Sequence, residues 1–230
     1  MADQLTGIHH IAIMSADIKK HIEFFSDVMG CELTALFHMH GVPGGLHAFL
    51  HLNDSCYFSI VQMDEAKDIP IEIGKTHSGT GANACAPGTM QHLAFNVDTL
   101  DDLLAMRDRL RSNGLNVMGP MDHGMCHSIY FGGPDNMTLE VATSSAGALD
   151  QNAWVDPEVC ELAGITPEET ARFKKPARYT GPSPVAQPPI DPTKPQMGYP
   201  KEMLEAIVSA PDEAILEASK QFSEPPVKIA

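Results

Sequence analysis

The distribution of hydrophobic and polar residues follows the same order twice along the chain. Residues 7–14 alternate between apolar and polar positions with the period of a β-strand, and residues 90–97 do the same. Each stretch is followed by a helical pattern and then by three further extended segments. The pattern therefore predicts two βαβββ modules, at about 7–63 and 89–145.

Capping residues and turn residues mark where these elements begin and end. The first helix is predicted from about Ile18 to Gly30, and the second from Thr99 to Asn113-Gly114. The remaining strands are predicted at 31–39, 46–52, 56–62, 115–119, 128–131 and 137–143. Because neither module buries both faces of its strands alone, we expect the two modules to pack as one domain over residues 1–145.

The segments outside the modules have a different character. Residues 64–88 contain scattered glycine and proline and predict an irregular connection. Within 146–230, Thr166-Pro167-Glu168-Glu169 has the form of a capped helix start, and residues 175–200 are proline-rich, which predicts an extended arm. A short amphipathic helix is predicted after this arm, around Met203, Leu204, Ile207 and Val208, with a further apolar pair at Ile215 and Leu216.

Two histidines occupy equivalent positions in the repeat. His10 and His92 fall on the same face of their strands, and Glu140 falls on the corresponding face of the last strand. Two imidazoles and one carboxylate converging on one point predict a metal site with open positions, as in non-haem Fe(II) enzymes. In the first module Ser59 stands where Glu140 stands in the second, and serine is a poor ligand.

A lone histidine in a strand is more often structural than a ligand. For this reason five other histidines in the strands and turns of the first module are assigned no functional role. They are His9, His38, His40, His47 and His51.

Composition limits the classes of binding partner and the cellular compartment that we expect. The formal charge of −15, with no offsetting basic cluster, argues against nucleic acid and anionic membranes. No apolar run approaches the ~18 residues of a membrane span, and no secretory signal is recognised, so a cytoplasmic location is expected. The five cysteines are scattered without a CxxC pair, which indicates reduced thiols rather than disulfides or a thiolate zinc site.

These features resemble the vicinal oxygen chelate superfamily over about residues 7–145 and, within it, the type I extradiol ring-cleaving dioxygenases. The resemblance implies an α+β fold in which paired βαβββ modules form a metal-binding, barrel-like mixed sheet, with His10, His92 and Glu140 as ligands. Those enzymes also carry a histidine before the second ligand, a histidine in the loop before the penultimate strand, and a tyrosine before the glutamate. In this chain the corresponding residues are His77, His123 and Tyr130, which the resemblance implies to be catalytic. His127 is an alternative to His123.

The resemblance implies Fe(II), with Mn(II) or another divalent metal as the alternative, a small catechol-like aromatic substrate, O₂, and a homo-oligomer. A metal-dependent isomerase, epimerase or lyase is a second hypothesis, disfavoured by Ser59 where such relatives usually supply a fourth ligand. A non-catalytic binding protein is a third, disfavoured by the ligand trio. The chain departs from the dioxygenase pattern in its proline-rich extension and in Gly133, where aspartate is usual. These departures leave the substrate open.

Overall fold

The computed structural model describes residues 5–144 and 149–228 and shows the same order of elements in both modules. The first module consists of β1 (His10–Ser15), α1 (Ile18–Glu23), β2 (Leu33–His38), β3 (Leu46–Asn53) and β4 (Cys56–Gln62). The second consists of β5 (Leu93–Asn96), α2 (Leu100–Ser112), β6 (Met118–Asp122), β7 (His127–Gly132) and β8 (Thr138–Thr143). The predicted βαβββ repeat is confirmed.

Each module forms its own four-stranded mixed sheet. The strand orders are β1-β4-β3-β2 and β5-β8-β7-β6, with the first pair of each sheet parallel and the others antiparallel. The α+β class is therefore confirmed. Since β1 and β5 each pair on one side only, the strands of the described residues remain two sheets and do not close into a barrel.

The helices begin where the capping residues predicted. The Thr99 side chain accepts a hydrogen bond from the backbone of Asp102, and the Asp102 carboxylate accepts one from the backbone of Thr99. The helix α1 continues as one turn of π-helix at Phe24–Val28 before the chain turns at Gly30, whose φ of 87° favours glycine. Between the modules, Asp64–Asp68 forms a short 3₁₀-helix within the irregular connection.

The predicted boundaries of β6 and β5 differ from those observed. The strand expected at 115–119 lies at Met118–Asp122, because Gly119 and Pro120 are accommodated inside the strand by an irregular register rather than ending it. The strand β5 begins at Leu93, so His92 lies just before the strand and not within it.

The apolar faces of both sheets share one hydrophobic core. The Phe25 ring lies with its centroid 4.2 Å from that of Phe58 and 6.0 Å from that of Phe95, and Phe58 lies 5.8 Å from Phe95. Side chains of this kind contribute roughly 1.5–3 kcal/mol each when fully buried. The modules are thus joined through the apolar, helix-bearing sides of their sheets, which leaves the faces carrying His10 and Glu140 outside this core.

Hydrogen bonds also connect the two modules. The Arg109 guanidinium donates from Nε to the carbonyl of Val28 at 2.6 Å. The backbone N–H of Ala16 donates to the Asp135 carboxylate at 3.1 Å. Both bonds join the first module to the second.

The described residues divide into two compact units, 5–176 and 177–228. The first unit includes three short helices beyond the modules: α3 (Gln151–Trp154), α4 (Pro157–Leu162) and α5 (Pro167–Lys174). Thr166 and Glu169 form the predicted capping box of α5. The division of the chain at about residue 145 stays a prediction.

The second unit contains the proline-rich segment and two helices. Residues 177–200 form neither helix nor strand, and α6 (Lys201–Ser209) and α7 (Asp212–Ser219) follow. The amphipathic helix predicted around Met203 and Ile207 is confirmed. Among all described residues, no helix has the length and apolar character that a bilayer crossing requires.

Candidate active site

His92 and Glu140 are in direct contact on the second sheet. Glu140 lies in β8 opposite Ala94 of β5 and Tyr130 of β7, and it is only 5% exposed. The Nε2 atom of His92 lies 2.9 Å from a carboxylate oxygen of Glu140. A nearly buried carboxylate requires hydrogen bonds or a positive charge beside it. His92 is therefore placed where a positive charge is needed.

The proton positions of His92 are constrained by Gln91. The Gln91 amide nitrogen donates to the carbonyls of Thr80 and Asn83 at 3.0 and 3.1 Å, which fixes the amide oxygen as the atom facing Nδ1 of His92. Since an amide oxygen only accepts, Nδ1 carries a proton. A neutral His92 then directs a lone pair from Nε2 toward the Glu140 carboxylate. This contact becomes favourable when Nε2 is protonated or when a cation binds both atoms.

Tyr130 and His123 extend the polar group. The Tyr130 hydroxyl lies 3.1 Å from Nε2 of His123, and its ring centroid lies 6.2 Å from that of His92. Burial, and then the negative charge of Glu140, raise the pKa of Tyr130, so its hydroxyl keeps its proton at neutral pH. His127, the competitor for the His123 slot, lies instead 3.7 Å from a carboxylate oxygen of Asp122.

His77 lies in the connection between the modules. Its Nδ1 lies 2.9 Å from the Thr76 hydroxyl, and its carbonyl accepts from the backbone of Gly74 at 2.7 Å. The neighbouring Ser78 is buried and donates its hydroxyl to the carbonyl of Gln91. The segment carrying His77 is therefore anchored directly before His92, but the described contacts of the His77 side chain do not reach the His92–Glu140 pair.

His10 lies on the polar face of the first sheet. Its Nδ1 is 3.0 Å from Nδ1 of His9, and its ring centroid is 5.5 Å from that of Phe49. Across residues 5–144 and 149–228, no three histidine, cysteine, aspartate or glutamate side chains lie close enough together to hold one metal ion. One chain thus brings together His92 and Glu140 but does not bring His10 to them.

A cavity of about 810 Å³ lies between the two modules. It is lined on one side by Ile11 and Tyr57 of the first module and on the other by Ala94, Asn96 and Met106 of the second. This space adjoins β1, which carries His10, and β5, which begins directly after His92.

Ser59 already has a partner. It is fully buried, and its hydroxyl lies 2.6 Å from Nε2 of His47. Burial, and then the neighbouring His10 and His40, lower the pKa of His47, which favours the neutral ring. The position equivalent to Glu140 is thus occupied by a histidine–serine pair without a carboxylate.

Two residues near the site carry no predicted role from the sequence, Gln91 and Trp154. For Gln91, the position directly before His92 is a signal that indicates a contact with that histidine. Trp154 of α3 packs against Gly124, which follows His123. A Cβ atom at position 124 would lie only 3.2 Å from the Trp154 ring, so the two residues are in close contact. No local pattern places a residue of α3 at this turn, because the contact depends on tertiary packing.

Comparison with known proteins establishes the family. The model of the Glyoxalase/Bleomycin resistance protein/Dioxygenase superfamily matches residues 7–141. The matched region covers more than half of the chain, so the chain belongs to this superfamily. The resemblance to the vicinal oxygen chelate superfamily is thereby confirmed.

The more specific similarities are local or distant. Biphenyl-2,3-diol 1,2-dioxygenase 2 of Rhodococcus globerulus is 34% identical over 62 residues, which are 27% of this chain and 33% of that protein. The match therefore spans about a third of the relative's length. A glyoxylase/bleomycin resistance protein/dioxygenase domain from Frankia is 15% identical, with a TM-score of 0.49, over 61% of this chain and 99% of that one. The fosfomycin resistance protein FosX of Listeria monocytogenes, in a structure with Mn(II) and sulfate, is 17% identical, with a TM-score of 0.43, over 65% and 99%.

Proposed function

We propose that this protein is a metal-dependent extradiol dioxygenase that cleaves a catechol-like ring with O₂. The observation that carries the proposal is the continuous polar group in which His92 contacts Glu140 and Tyr130 bonds to His123 beside them. The local similarity to a biphenyl-2,3-diol dioxygenase supports the same reaction class.

The proposed metal is Fe(II), with Mn(II) or another divalent ion as the alternative. Bound at the His92–Glu140 pair, a ferrous ion would supply the redox chemistry of ring cleavage and a docking point for two adjacent substrate oxygens. Within residues 5–144 and 149–228, His10 does not lie with this pair. The ligand roles of His10, His92 and Glu140 stay proposals.

Tyr130 and His123 are the groups proposed to position the substrate. A phenol with a raised pKa keeps its proton and donates it in a hydrogen bond to a substrate oxygen. His123 Nε2, within bonding distance of that phenol, either orients it or accepts a proton from the second substrate hydroxyl. Together they favour the substrate anion at a fixed position, which lowers the entropic part of the barrier.

His77 is proposed as the acid–base residue. Imidazole exchanges a proton near neutral pH, and the neighbouring Ser78 ties the segment that carries His77 to the carbonyl of Gln91. The proposed reaction needs no external reductant. One ring carbon–carbon bond beside a hydroxylated carbon breaks, both atoms of O₂ enter the product, and the catechol supplies the electrons.

The isomerase, epimerase or lyase alternative lacks a fourth ligand. Ser59, at the position where one is expected, is buried and bonded to His47. A cytoplasmic location and the absence of nucleic-acid and membrane partners stay predictions.

Oxygen uptake tests the proposal. Protein purified anaerobically and loaded with Fe(II) is given catechol, 3-methylcatechol and 3-phenylcatechol in an oxygen electrode, with absorbance recorded for a yellow ring-opened product. We expect uptake equal to the substrate consumed, and none with resorcinol, whose hydroxyls are not adjacent. His77→Gln should lower turnover without lowering iron content. Iron-loaded protein that consumes no O₂ with any of the three catechols would refute the proposal.

A further inference from the structure

We infer that Trp154 forms one wall of the substrate site and selects substrates whose ring carries an apolar substituent. Trp154 lies in α3, which follows the part of the chain, residues 7–141, that matches the superfamily model. The inference rests on the proposed function and deepens it, because it names what the substrate carries beyond its two adjacent oxygens.

The Trp154 ring packs against the turn that carries His123. The backbone of His123 donates to the carbonyl of Cys126 at 2.9 Å. The backbone of Gly124 donates to the Asp122 carboxylate at 2.8 Å. Gly124 has a φ of 76°, and a Cβ atom at this position would lie 3.2 Å from the Trp154 ring. The ring thus lies beside the residue that follows His123, at a turn whose conformation is held by local hydrogen bonds.

The His123 side chain connects this turn to the proposed metal site. Its Nε2 lies 3.1 Å from the Tyr130 hydroxyl. Tyr130 lies opposite Glu140 in the neighbouring strand, and its ring centroid lies 6.2 Å from that of His92. A chain of contacts therefore leads from the His92–Glu140 pair through Tyr130 and His123 to the turn beside Trp154. Substituents of a ring bonded to His123 lie within reach of Trp154.

Apolar side chains on the same face of the sheet favour an apolar substituent. Met118 lies opposite Tyr130 and Met121 opposite Ser128, so both methionines share the face of the sheet that carries Tyr130. Met118 is 57% exposed, Met121 38% and Trp154 49%. Apolar side chains around a few placed polar groups are typical of small-molecule sites, and methionine adapts its shape to the group that it contacts. These three side chains thus offer an apolar surface next to the polar group.

Trp154 is the single tryptophan of the chain, so its fluorescence reports directly on this wall. Mn(II)-loaded protein is titrated without O₂ with catechol, 3-tert-butylcatechol and 4-tert-butylcatechol, and calorimetry measures each affinity independently. Free N-acetyltryptophanamide corrects for light that the ligands absorb. We expect the better of the two tert-butylcatechols to bind about 10-fold more tightly than catechol, because it buries an apolar group, and to change the fluorescence in proportion to occupancy.

Variants at Trp154 distinguish a wall of the site from a structural support. Trp154→Ala should lower the affinity for the tert-butylcatechol about 3- to 10-fold and leave that for catechol unchanged, because only the contact with the substituent is lost. Trp154→Phe keeps an aromatic ring and should retain most of the affinity. Phe173→Ala is the matched control, because it removes another exposed aromatic side chain of the same compact unit and should change neither affinity.

The outcomes separate this inference from the proposed function. Equal losses for catechol and tert-butylcatechol in Trp154→Ala, or binding of both without a change in fluorescence, would overturn the inference and leave the dioxygenase proposal standing. Fluorescence that changes with protein concentration and not with ligand would assign the ring to a contact between copies and would overturn it too. If none of the three catechols binds, the proposed function fails and the inference fails with it.

Discussion

Ser59 and Glu140 occupy equivalent positions in the two sheets: Ser59 pairs with Ala12 of β1 as Glu140 pairs with Ala94 of β5. Their environments differ, since Ser59 is bonded to His47 and Glu140 faces His92. At this position the duplicated fold thus carries a carboxylate in the second module and a hydroxyl in the first.

Substitutions of Glu140 and Ser59 distinguish a residue proposed to bind the metal from the residue at the equivalent position of the other module. Glu140→Gln removes the anionic donor and should weaken Mn(II) binding by more than about 100-fold, beyond the range typical of residues that only support a ligand. Ser59→Ala removes one hydrogen bond, costs about 0.5–1.5 kcal/mol of stability, and should leave Mn(II) affinity unchanged. Titration calorimetry with Mn(II) measures both. Equal affinity in the wild type and Glu140→Gln would contradict the ligand role of Glu140.

Gln91 should control how strongly His92 binds a cation. Its amide oxygen holds the proton of His92 on Nδ1 and leaves Nε2 directed at Glu140. Gln91→Leu should reduce Mn(II) affinity about 10- to 100-fold, because residues that orient a ligand have effects of this size. Gln91→Glu is the matched control, since it keeps an acceptor for Nδ1 while losing the bonds to Thr80 and Asn83. If both variants lose Mn(II) affinity to a similar extent, the cause would be the lost bonds to Thr80 and Asn83 and not the contact with His92.

Tyr130 should contribute to turnover but not to metal binding. Tyr130→Phe removes the hydroxyl that bonds to His123 and should lower kcat/KM for catechol about 10- to 100-fold, the value of one hydrogen bond to a charged group. His123→Ala should have an effect of similar direction, whereas His127→Ala should have little, because His127 contacts Asp122 instead. A larger loss in His127→Ala than in His123→Ala would show that the wrong histidine was assigned to this slot.

His21 should make stability depend on pH. It is buried between Ser15, 2.7 Å from Nδ1, and Asp135, 3.7 Å from Nε2. Burial, only partly offset by Asp135 and Asp17, lowers its pKa below the ordinary 6.5. The unfolded chain therefore binds a proton on His21 at a higher pH than the folded chain does. Stability from this group is fully present above about pH 6.5 and is lost as the pH falls toward the lower pKa of the folded state.

Urea unfolding between about pH 5 and 8 measures this dependence. His21→Gln removes the titrating group, so its free energy of unfolding should fall less steeply with decreasing pH than that of the wild type. Ser15 and the Asp135 turn remain in place in this variant, which keeps the comparison local. Parallel pH dependences in the two proteins would show that His21 does not carry the effect.

The repeat in the sequence was sufficient to predict the architecture. Alternation around His10 and His92 identified the first strand of each module, and the capping residues at Thr99 and Thr166 located two helix starts. These signals depend only on neighbouring residues in the sequence, so they predict the elements without knowledge of the tertiary packing. The strand predicted at 115–119 lies at Met118–Asp122, because a register irregularity keeps Gly119 and Pro120 within the strand.

The site was less predictable because it depends on which faces meet. Alternation put Glu140 on the polar face of β8, and strand register brings Tyr130 beside it, whereas His92 lies just before β5. Alternation does not specify whether the polar faces of two modules meet within one chain, and here His10 remains with His9 and Phe49. The contact between Trp154 and the Gly124 turn is likewise set by tertiary packing alone.

Isotope incorporation tests the proposed reaction most directly. Iron-loaded protein is allowed to consume a catechol under ¹⁸O₂, and the ring-opened product is analysed by mass spectrometry immediately after mixing. The dioxygenase assignment predicts a product that carries both ¹⁸O atoms, apart from exchange at an aldehyde or ketone oxygen, which borohydride trapping suppresses. A product without ¹⁸O, or a substrate rearranged without loss of O₂ from solution, would contradict it.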